Sequence, residues 1–236
     1  MRLAFNAFIL VLLLACSGYA ESATKICSPI VLGDIQIKEK TAGYDIDVEY
    51  PVLCSPTATR TIRDFATKHL SDFKMDFPEH DLSDYPRTHE MIMDYNAWPA
   101  GKGRFASVQL QVMVYTGGAH PNHWPVTWVF DLTDGRPLTL SDIFADLPTA
   151  LTAIAPMVRD ALKKEMIDMY AEDMVADGTL PVAKNYEDFI LNDEGVVFFF
   201  APYQVGPYAA GQQVVTIPWS KIRDLLSSQF ESIIYQ

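Results

Sequence analysis

Apolar residues at alternate positions in three separate segments are the feature that most constrains the fold of this chain. In residues 44–50, 107–114 and 124–130, every second side chain is apolar. This alternation is typical of β-strands that bury one face and leave the other face in water. The dry faces must be covered by other apolar elements, so we expect a sheet packed against helices.

Helical patterns supply those covering elements. Apolar side chains recur at helical spacing after Ser55 and Pro56, which are typical of an N-cap and a first helical residue. The predicted helices are residues 56–74, a short helix capped by Ser141, residues 149–174 with a kink at Pro156, and residues 219–233. We therefore predict one α+β domain, in which an antiparallel sheet of hairpins packs against amphipathic helices.

Further strands complete the predicted sheet. Shorter apolar or alternating runs, separated by glycine- and proline-containing turns, indicate strands around residues 34–38, 91–95, 196–200 and 213–217. Turns are predicted at residues 41–43 and 99–103. The order of elements contains no repeat.

The N-terminus carries an export signal. Arg2 precedes an apolar run over residues 3–15, which is shorter than the roughly 20 residues that a membrane-spanning helix needs. Two processing sites remain open: a signal peptide of residues 1–20, or a lipoprotein signal that ends at residue 15 and leaves Cys16 as the lipidated residue. Both place the protein outside the cytoplasm, in the periplasm or cell envelope. The second adds a lipid anchor to the outer membrane.

Cysteine content agrees with export. Once Cys16 is removed or acylated, Cys27 and Cys54 remain as an even pair in an oxidising compartment. We predict a disulfide bond between them. The alternative is two separate buried thiols.

The chain is acidic, with 18 basic side chains against 30 acidic ones and a formal charge of −12. Removal of residues 1–20 takes away one arginine and no acid, which leaves a charge of −13. Such a charge disfavours binding to nucleic acid and anionic lipid, and favours a basic partner. The only membrane contact that we expect is the alternative lipid anchor on Cys16.

Two histidines are the strongest metal candidates. His120 and His123 lie in a glycine- and proline-rich loop, and Asp131 on the following strand is the available third ligand. Two histidines without a placed third ligand are a weak signal, so a turn with local hydrogen bonds is favoured over a metal site. No nucleophile motif is present in the sequence. We predict no cofactor, no metal and no catalytic residue.

Aromatic residues in or beside two loops suggest a binding surface instead. The predicted binding residues are Tyr115, His120, His123, Tyr203 and Tyr208. Exposed rings on rigid loops can stack on sugars or anchor a protein partner. The alternative is that the rings close the core beneath the loops.

The loop sequences resemble a known family. The segments of residues 115–122, 130–144 and 200–211, together with Tyr50-Pro51, are similar to the extracytoplasmic domain shared by the lysozyme-sensing anti-sigma factor RsiV and the non-catalytic part of the peptidoglycan deacetylase PdaC. The resemblance covers residues 28–236, with residues 28–115 and 116–236 as the two parts of one unit.

The resemblance implies an α+β domain outside the cytoplasm that binds lysozyme in some members, and it does not imply catalysis. Because the domain follows the signal closely, we do not expect control of a sigma factor. The predicted function is an envelope binding module that recognises a basic protein such as lysozyme, or a cell-wall glycan. The alternative function is a peptidoglycan-active or metal-dependent enzyme that uses His120 and His123.

Overall fold

The structure is a computed structural model that describes residues 28–77 and 81–235. The predicted signal peptide, Cys16 and Cys27 lie outside the described residues. The disulfide bond between Cys27 and Cys54 therefore stays a prediction. No helix of the described segments is long and apolar enough to cross a membrane.

The described residues form nine strands and six α-helices, with short 3₁₀ turns between some of them. The strands are β1 Val31–Lys40, β2 Tyr44–Leu53, β3 His89–Ala100, β4 Phe105–Tyr115, β5 Asn122–Asp131, β6 Arg136–Pro137, β7 Phe189–Leu191, β8 Gly195–Phe200 and β9 Gln213–Pro218. The helices are α1 Pro56–Asp76, α2 Leu140–Ile143, α3 Leu147–Glu165, α4 Glu172–Gly178, α5 Trp219–Ile222 and α6 Ser228–Ile234.

Six strands form the larger sheet in the order β1-β2-β3-β4-β5-β6. Four of its five neighbouring pairs are antiparallel, as predicted, whereas β2 and β3 are parallel. The parallel pair arises because α1 lies between the two strands in the chain and returns the backbone to the same end of the sheet. The predicted α+β class is confirmed.

Helix α1 covers the dry face of the larger sheet. The side chain of Ser55 accepts a hydrogen bond from the backbone N–H of Ala58 at 3.3 Å and caps the helix, as predicted. Apolar residues of α1 and of β2, β3 and β4 form one buried cluster that includes Ile46, Val48, Ala58, Ile62, Ala66, Phe73, Met91, Met93, Leu110 and Val112. The alternating residues between these strand positions therefore face away from α1.

The second sheet, in the order β7-β8-β9, packs with α3 around its own core. A buried serine joins the two sheets: the hydroxyl of Ser107 donates to the carbonyl of Leu191 at 2.7 Å and accepts from its N–H at 2.9 Å. Strand β7 therefore lies across one end of the face of the larger sheet that α1 leaves uncovered. The rest of that face stays open to solvent.

Two predicted helices have different boundaries in the structure. Helix α2 begins after Thr139, not Ser141, because the carboxylate of Asp142 accepts hydrogen bonds from both the N–H and the hydroxyl of Thr139. Helix α3 continues through Pro156 and ends at Glu165. A 3₁₀ turn then separates it from α4, so residues 149–174 do not form one helix.

The predicted helix over residues 219–233 is divided into α5, a 3₁₀ turn and α6. The side chain of Ser227 accepts a hydrogen bond from the N–H of Phe230 at 3.3 Å and begins a new helix there. Apolar residues recur on both sides of this break, so the sequence pattern resembled one continuous helix. Phe230 nevertheless reaches the core, where its ring stacks on that of Phe105.

Candidate functional site

Four of the five predicted binding residues meet beside the start of β5. The ring of Tyr208 stacks on that of His120, with centroids 3.8 Å apart. The centroid of Tyr208 also lies 5.6 Å from that of His123 and 5.5 Å from that of Tyr203. We call His120, His123, Tyr203 and Tyr208 the aromatic cluster.

A hydrogen bond between two distant loops holds the aromatic cluster together. The hydroxyl of Tyr208 donates to the backbone carbonyl of Pro121 at 2.7 Å, and its oxygen lies 3.5 Å from Nδ1 of His123. The loop before β5 makes this approach through Gly117 and Gly118, whose φ angles of +90° and +118° favour glycine. The 202–211 loop is thereby fixed against the start of β5.

Tyr203 adopts a backbone conformation that is unfavourable for its residue type. Its φ is +73°, and a non-glycine residue in this region costs about 1–2 kcal/mol. Its side chain is 59% exposed, so core packing does not account for the conformation. Backbone strain of this kind is concentrated at functional sites. Tyr203 is therefore held as an exposed ring next to Tyr208.

Tyr115, the fifth predicted binding residue, lies at the end of β4 and supports the adjacent turn. Its hydroxyl donates to the carbonyl of Gly118 at 3.2 Å. The guanidinium of Arg87 lies over its ring, 4.3 Å from the centroid. These contacts give Tyr115 a positioning role for the glycine turn.

The aromatic cluster borders the open face of the larger sheet. Cross-strand neighbours point to the same side of a sheet. The strand registers therefore place His123 in one row across five strands with Met113, Ile92, Asp47 and Lys38. The row runs from the cluster at β5 to the sheet edge at β1.

Most charges on this open face are negative. Its ionisable side chains on β1, β2 and β3, half-buried or exposed, include two lysines and six acids: Asp34, Lys38, Lys40, Asp45, Asp47, Glu49, Glu90 and Asp94. We call this set the acidic face. Alternation in the sequence had indicated the polar side of each strand, but not that β2 and β3 are neighbours and so combine their acids.

Two acids of this set repel each other. Loss of water contact, and then the negative charge of Glu49, raise the pKa of Asp94 above its ordinary value. Asp47, by contrast, forms an ion pair with Lys38 at 2.8 Å. Among the described residues, Asp94 makes no ion pair or side-chain hydrogen bond. A bound cation beside Asp94 and Glu49 would relieve their repulsion.

Asp131 does not join the histidines, so the hypothesis of a three-ligand site is wrong. It lies at the far end of β5, eight residues or roughly 26 Å from His123 along the extended strand. Its carboxylate accepts hydrogen bonds from Arg104 and Thr133. Burial would raise the pKa of Asp131, but these bonds outweigh burial and lower it. Within the described segments, no three His, Cys, Asp or Glu side chains form a metal-ligand group.

Asp188 is a titratable residue that the sequence did not reveal. Burial, and secondarily the charge of Glu187, raise the pKa of Asp188 to about 6, although hydrogen bonds from Thr127 partly oppose the rise. Glu187 and Thr127 also line a mainly apolar cleft of about 230 Å³. The three-residue strand β7 that follows Asp188 is too short to show alternation.

Two family descriptions match consecutive parts of the chain. The family described as "Deacetylase PdaC" matches residues 37–123. The family described as "Protein of unknown function (DUF3298)" matches residues 141–220. A crystal structure of a DUF3298 family member from Bacteroides fragilis superposes with a TM-score of 0.57 at 18% identity, covering 86% of this chain and 94% of that one. This similarity concerns the fold.

Three relatives are similar over most of the chain. The peptidoglycan-N-acetylmuramic acid deacetylase PdaC of Bacillus subtilis is 27% identical over 81% of this chain and 40% of its own length. The immunogenic protein MPT64 of Mycobacterium tuberculosis is 27% identical, covering 92% and 95% respectively. The esterase Rv3036c of the same species is 24% identical, covering 77% and 78%.

These names correct the expectation that the chain is not an enzyme. One relative is named a deacetylase and another an esterase. The match spans 40% of the deacetylase but 78% of the esterase, so the esterase similarity extends over most of both proteins.

Proposed function

Because this chain belongs to the PdaC-like and DUF3298 family, we propose that it is an exported envelope protein whose aromatic cluster and acidic face bind a cationic protein such as a lysozyme. One observation carries the proposal: Tyr203 is held exposed, at a φ of +73°, beside the stacked rings of Tyr208 and His120. Rigid exposed aromatic side chains are frequent anchors of protein interfaces.

Charge supports a cationic partner. The whole chain carries a formal charge of −12, which accelerates encounter with a basic protein. The acidic face lies on the same side of the sheet as His123. Lysine or arginine side chains of a partner could therefore reach Asp94 and Glu49 while an apolar or aromatic group contacts Tyr203.

The cellular setting is part of this proposal. The PdaC relative is named for peptidoglycan, a polymer outside the cytoplasm, and this agrees with export. We assign residues 1–20 as a signal peptide, with processing at Cys16 and a lipid anchor as the alternative. The Cys27–Cys54 disulfide belongs to the same oxidising compartment.

Calorimetric titration of the processed chain with a panel of lysozymes tests the proposed binding. We expect heat of binding with at least one lysozyme and a dissociation constant that rises with salt, because the charges are screened. Asp94→Lys should weaken binding, since it places a cation on the acidic face. The matched control is Asp173→Lys on the exposed surface of α4, which changes the net charge equally.

Soluble peptidoglycan fragments form the second arm of the titration, because stacked rings also suit sugars. If the fragments give heat of binding and no lysozyme does, the ligand of the aromatic cluster is a glycan and not a protein. If Asp94→Lys and Asp173→Lys weaken binding equally, the acidic face is not part of the binding site. No heat in either arm contradicts the proposed binding function.

Hydrolysis of an acyl group is a second candidate function. Asp188, with a pKa of about 6, is suited to proton transfer near neutral pH, and its chain neighbours Glu187 and Phe189 line an apolar cleft. His120 and His123 beside Tyr208 are the other candidates for this role. Activity on p-nitrophenyl acetate and on acetylated muropeptides should be compared among the wild type, Asp188→Asn and His120→Ala/His123→Ala. Metal analysis of the purified protein tests the metal-dependent version of the histidine site.

A further inference from the structure

Strand β1 forms an edge of the larger sheet that no other described strand covers. It pairs with β2 on one side only and is ten residues long. Two aliphatic side chains on it are unusually accessible: Leu32 is 63% exposed and Ile35 is 40% exposed. A long edge strand with exposed aliphatic residues is a template for pairing with another strand.

The hydrogen-bonding groups on the free side of β1 can be identified. The N–H of Thr41 donates to the carbonyl of Tyr44 at 2.9 Å, which makes this a hydrogen-bonded pair at the start of the β1–β2 ladder. Hydrogen-bonded and non-hydrogen-bonded pairs alternate along antiparallel strands. From Thr41 backwards, the pairs that contain Lys38, Gln36 and Asp34 are therefore non-hydrogen-bonded. The backbone N–H and C=O groups of these three residues point away from β2.

The sequence of β1 is complementary to itself around Gln36. If two copies align antiparallel with Gln36 opposite Gln36, Asp34 of each copy faces Lys38 of the other. Ile35 then faces Ile37 on the opposite side of the sheet, again twice by symmetry. Opposite charges and aliphatic pairs are the cross-strand combinations that stabilise sheets.

Neighbouring registers give fewer favourable cross-strand pairs. Centring the pairing on Ile35 places Lys38 opposite Leu32. Centring it on Ile37 instead places Ile35 opposite Glu39. The Gln36 register also sets Leu32 opposite Lys40, and the Ile37 register pairs Asp34 with Lys40. Of the three, only the Gln36 register combines two pairs of opposite charge with two aliphatic pairs, so it is favoured.

We propose that two copies of this chain pair through β1, antiparallel about Gln36, as a symmetric dimer. The contact is isologous, so it closes after two copies and does not propagate into a fibre. Lys38 would contact Asp34 of the second copy while remaining beside Asp47 of its own copy. The open faces of both copies would then form one surface with an aromatic cluster on each side. A dimer of this form would bind a partner with two sites more tightly than a single copy can.

Sedimentation of the processed chain tests this dimer at concentrations from about 1 to about 100 μM, the range in which a micromolar dimer dissociates. We expect a reversible monomer–dimer equilibrium for the wild type. Gln36→Pro should abolish the dimer, because it removes an outward N–H at the centre of the contact but no β1–β2 hydrogen bond. Gln36→Ala is the matched control: like the proline variant it loses the side-chain bond to Glu49, yet it keeps the N–H.

A charge exchange tests the register. Asp34→Lys and Lys38→Asp should each weaken the dimer by roughly tenfold, because each sets like charges opposite each other twice. The double variant D34K/K38D should restore it, since the opposite charges are then exchanged. Circular dichroism melting of every variant separates loss of dimer from loss of fold.

Three results would overturn the proposal. The first is a wild type that remains monomeric throughout the concentration range. The second is a dimer that persists in folded Gln36→Pro, which would place the contact elsewhere. The third is a folded double variant no better than the single variants, which would reject the register centred on Gln36.

Discussion

The hydroxyl group of Tyr208 donates a 2.7 Å hydrogen bond to the backbone carbonyl of Pro121, across 87 residues of sequence. This bond fixes the 202–211 loop against the start of β5 and brings Tyr208 onto His120 and His123. The two glycine- and proline-rich loops are therefore parts of one site. Its accessible ring, Tyr203, extends from the same loop.

Tyr208→Phe removes this hydrogen bond while keeping the stacked ring. We expect the free energy of unfolding to fall by about 1 kcal/mol, as for a typical buried or half-buried hydrogen bond. Urea denaturation measures the change. Tyr203→Phe is the control, because among the described residues the Tyr203 hydroxyl has no hydrogen-bond partner. Equal effects of the two substitutions would contradict a specific role for the Tyr208 hydroxyl.

Replacing Tyr203 should reverse the usual order of alanine and glycine. At a φ of +73° glycine is unstrained but alanine is not, so Tyr203→Gly should be more stable than Tyr203→Ala by about 1 kcal/mol. In a strand or helix interior the order is the opposite. Thermal melts of the two variants give the sign directly, and a more stable alanine variant would show that the backbone is not strained here.

Ser107→Ala should weaken the contact between the two sheets. The substitution leaves both the N–H and the carbonyl of Leu191 without their buried partner. We expect a loss of about 2 kcal/mol or more in the free energy of unfolding, because unsatisfied buried groups are expensive. Ser220→Ala, at an exposed position of α5, should change it by less than about 0.5 kcal/mol. Denaturant titration of both variants measures the two losses, and equal losses would contradict a specific role for Ser107.

The raised pKa of Asp188 predicts a specific pH dependence of stability. Because the folded-state pKa is about 6, against an ordinary value of 3.8, the folded protein holds a proton more tightly than the unfolded chain. The stabilising contribution of this group is therefore complete below its ordinary pKa and is lost as pH rises through about 6. Asp188→Asn should increase stability at pH 7 by on the order of 2 kcal/mol and change it little at pH 4.

Melting temperatures of the wild type and Asp188→Asn, measured from pH 4 to pH 8, test this prediction. The difference between the two should grow with pH. Asp193→Asn, at an exposed position in the turn between β7 and β8, provides the control and should show no such trend. A difference that shrinks with rising pH would contradict the direction of the shift.

Local sequence patterns predicted the local parts of the fold. Alternation over residues 44–50 identified β2 and its dry face, and Ser55 identified the start of α1. The parallel pairing of β2 with β3 was not predictable, because alternation marks a face and not a neighbour. The break at Ser227 was missed because the apolar period on each side of it remains compatible with a helix.

In the candidate site, too, the local features were predictable from the sequence and the non-local ones were not. The sequence marked His120, His123, Tyr203 and Tyr208 as loop residues with binding potential, and the structure brings their rings together. Asp131 was grouped with the histidines from proximity in sequence, but an extended strand carries it roughly 26 Å away. The acidic face depends on strand order, which is a non-local property. Asp188 gave no sequence signal because its pKa depends on the depth of burial.

The affinity of Tyr203→Ala for the partner, relative to that of the wild type, tests the central claim most directly. Tyr235→Ala is the matched control, since Tyr235 is also exposed, at 40% against 59%, and lies near the C-terminus in contact with Arg223. In calorimetry with the tightest-binding lysozyme of the panel, Tyr203→Ala should raise the dissociation constant by roughly tenfold or more, as for an interface anchor. Tyr235→Ala should change it by less than about twofold. Unchanged affinity for Tyr203→Ala in a folded protein would show that the aromatic cluster is not the binding site.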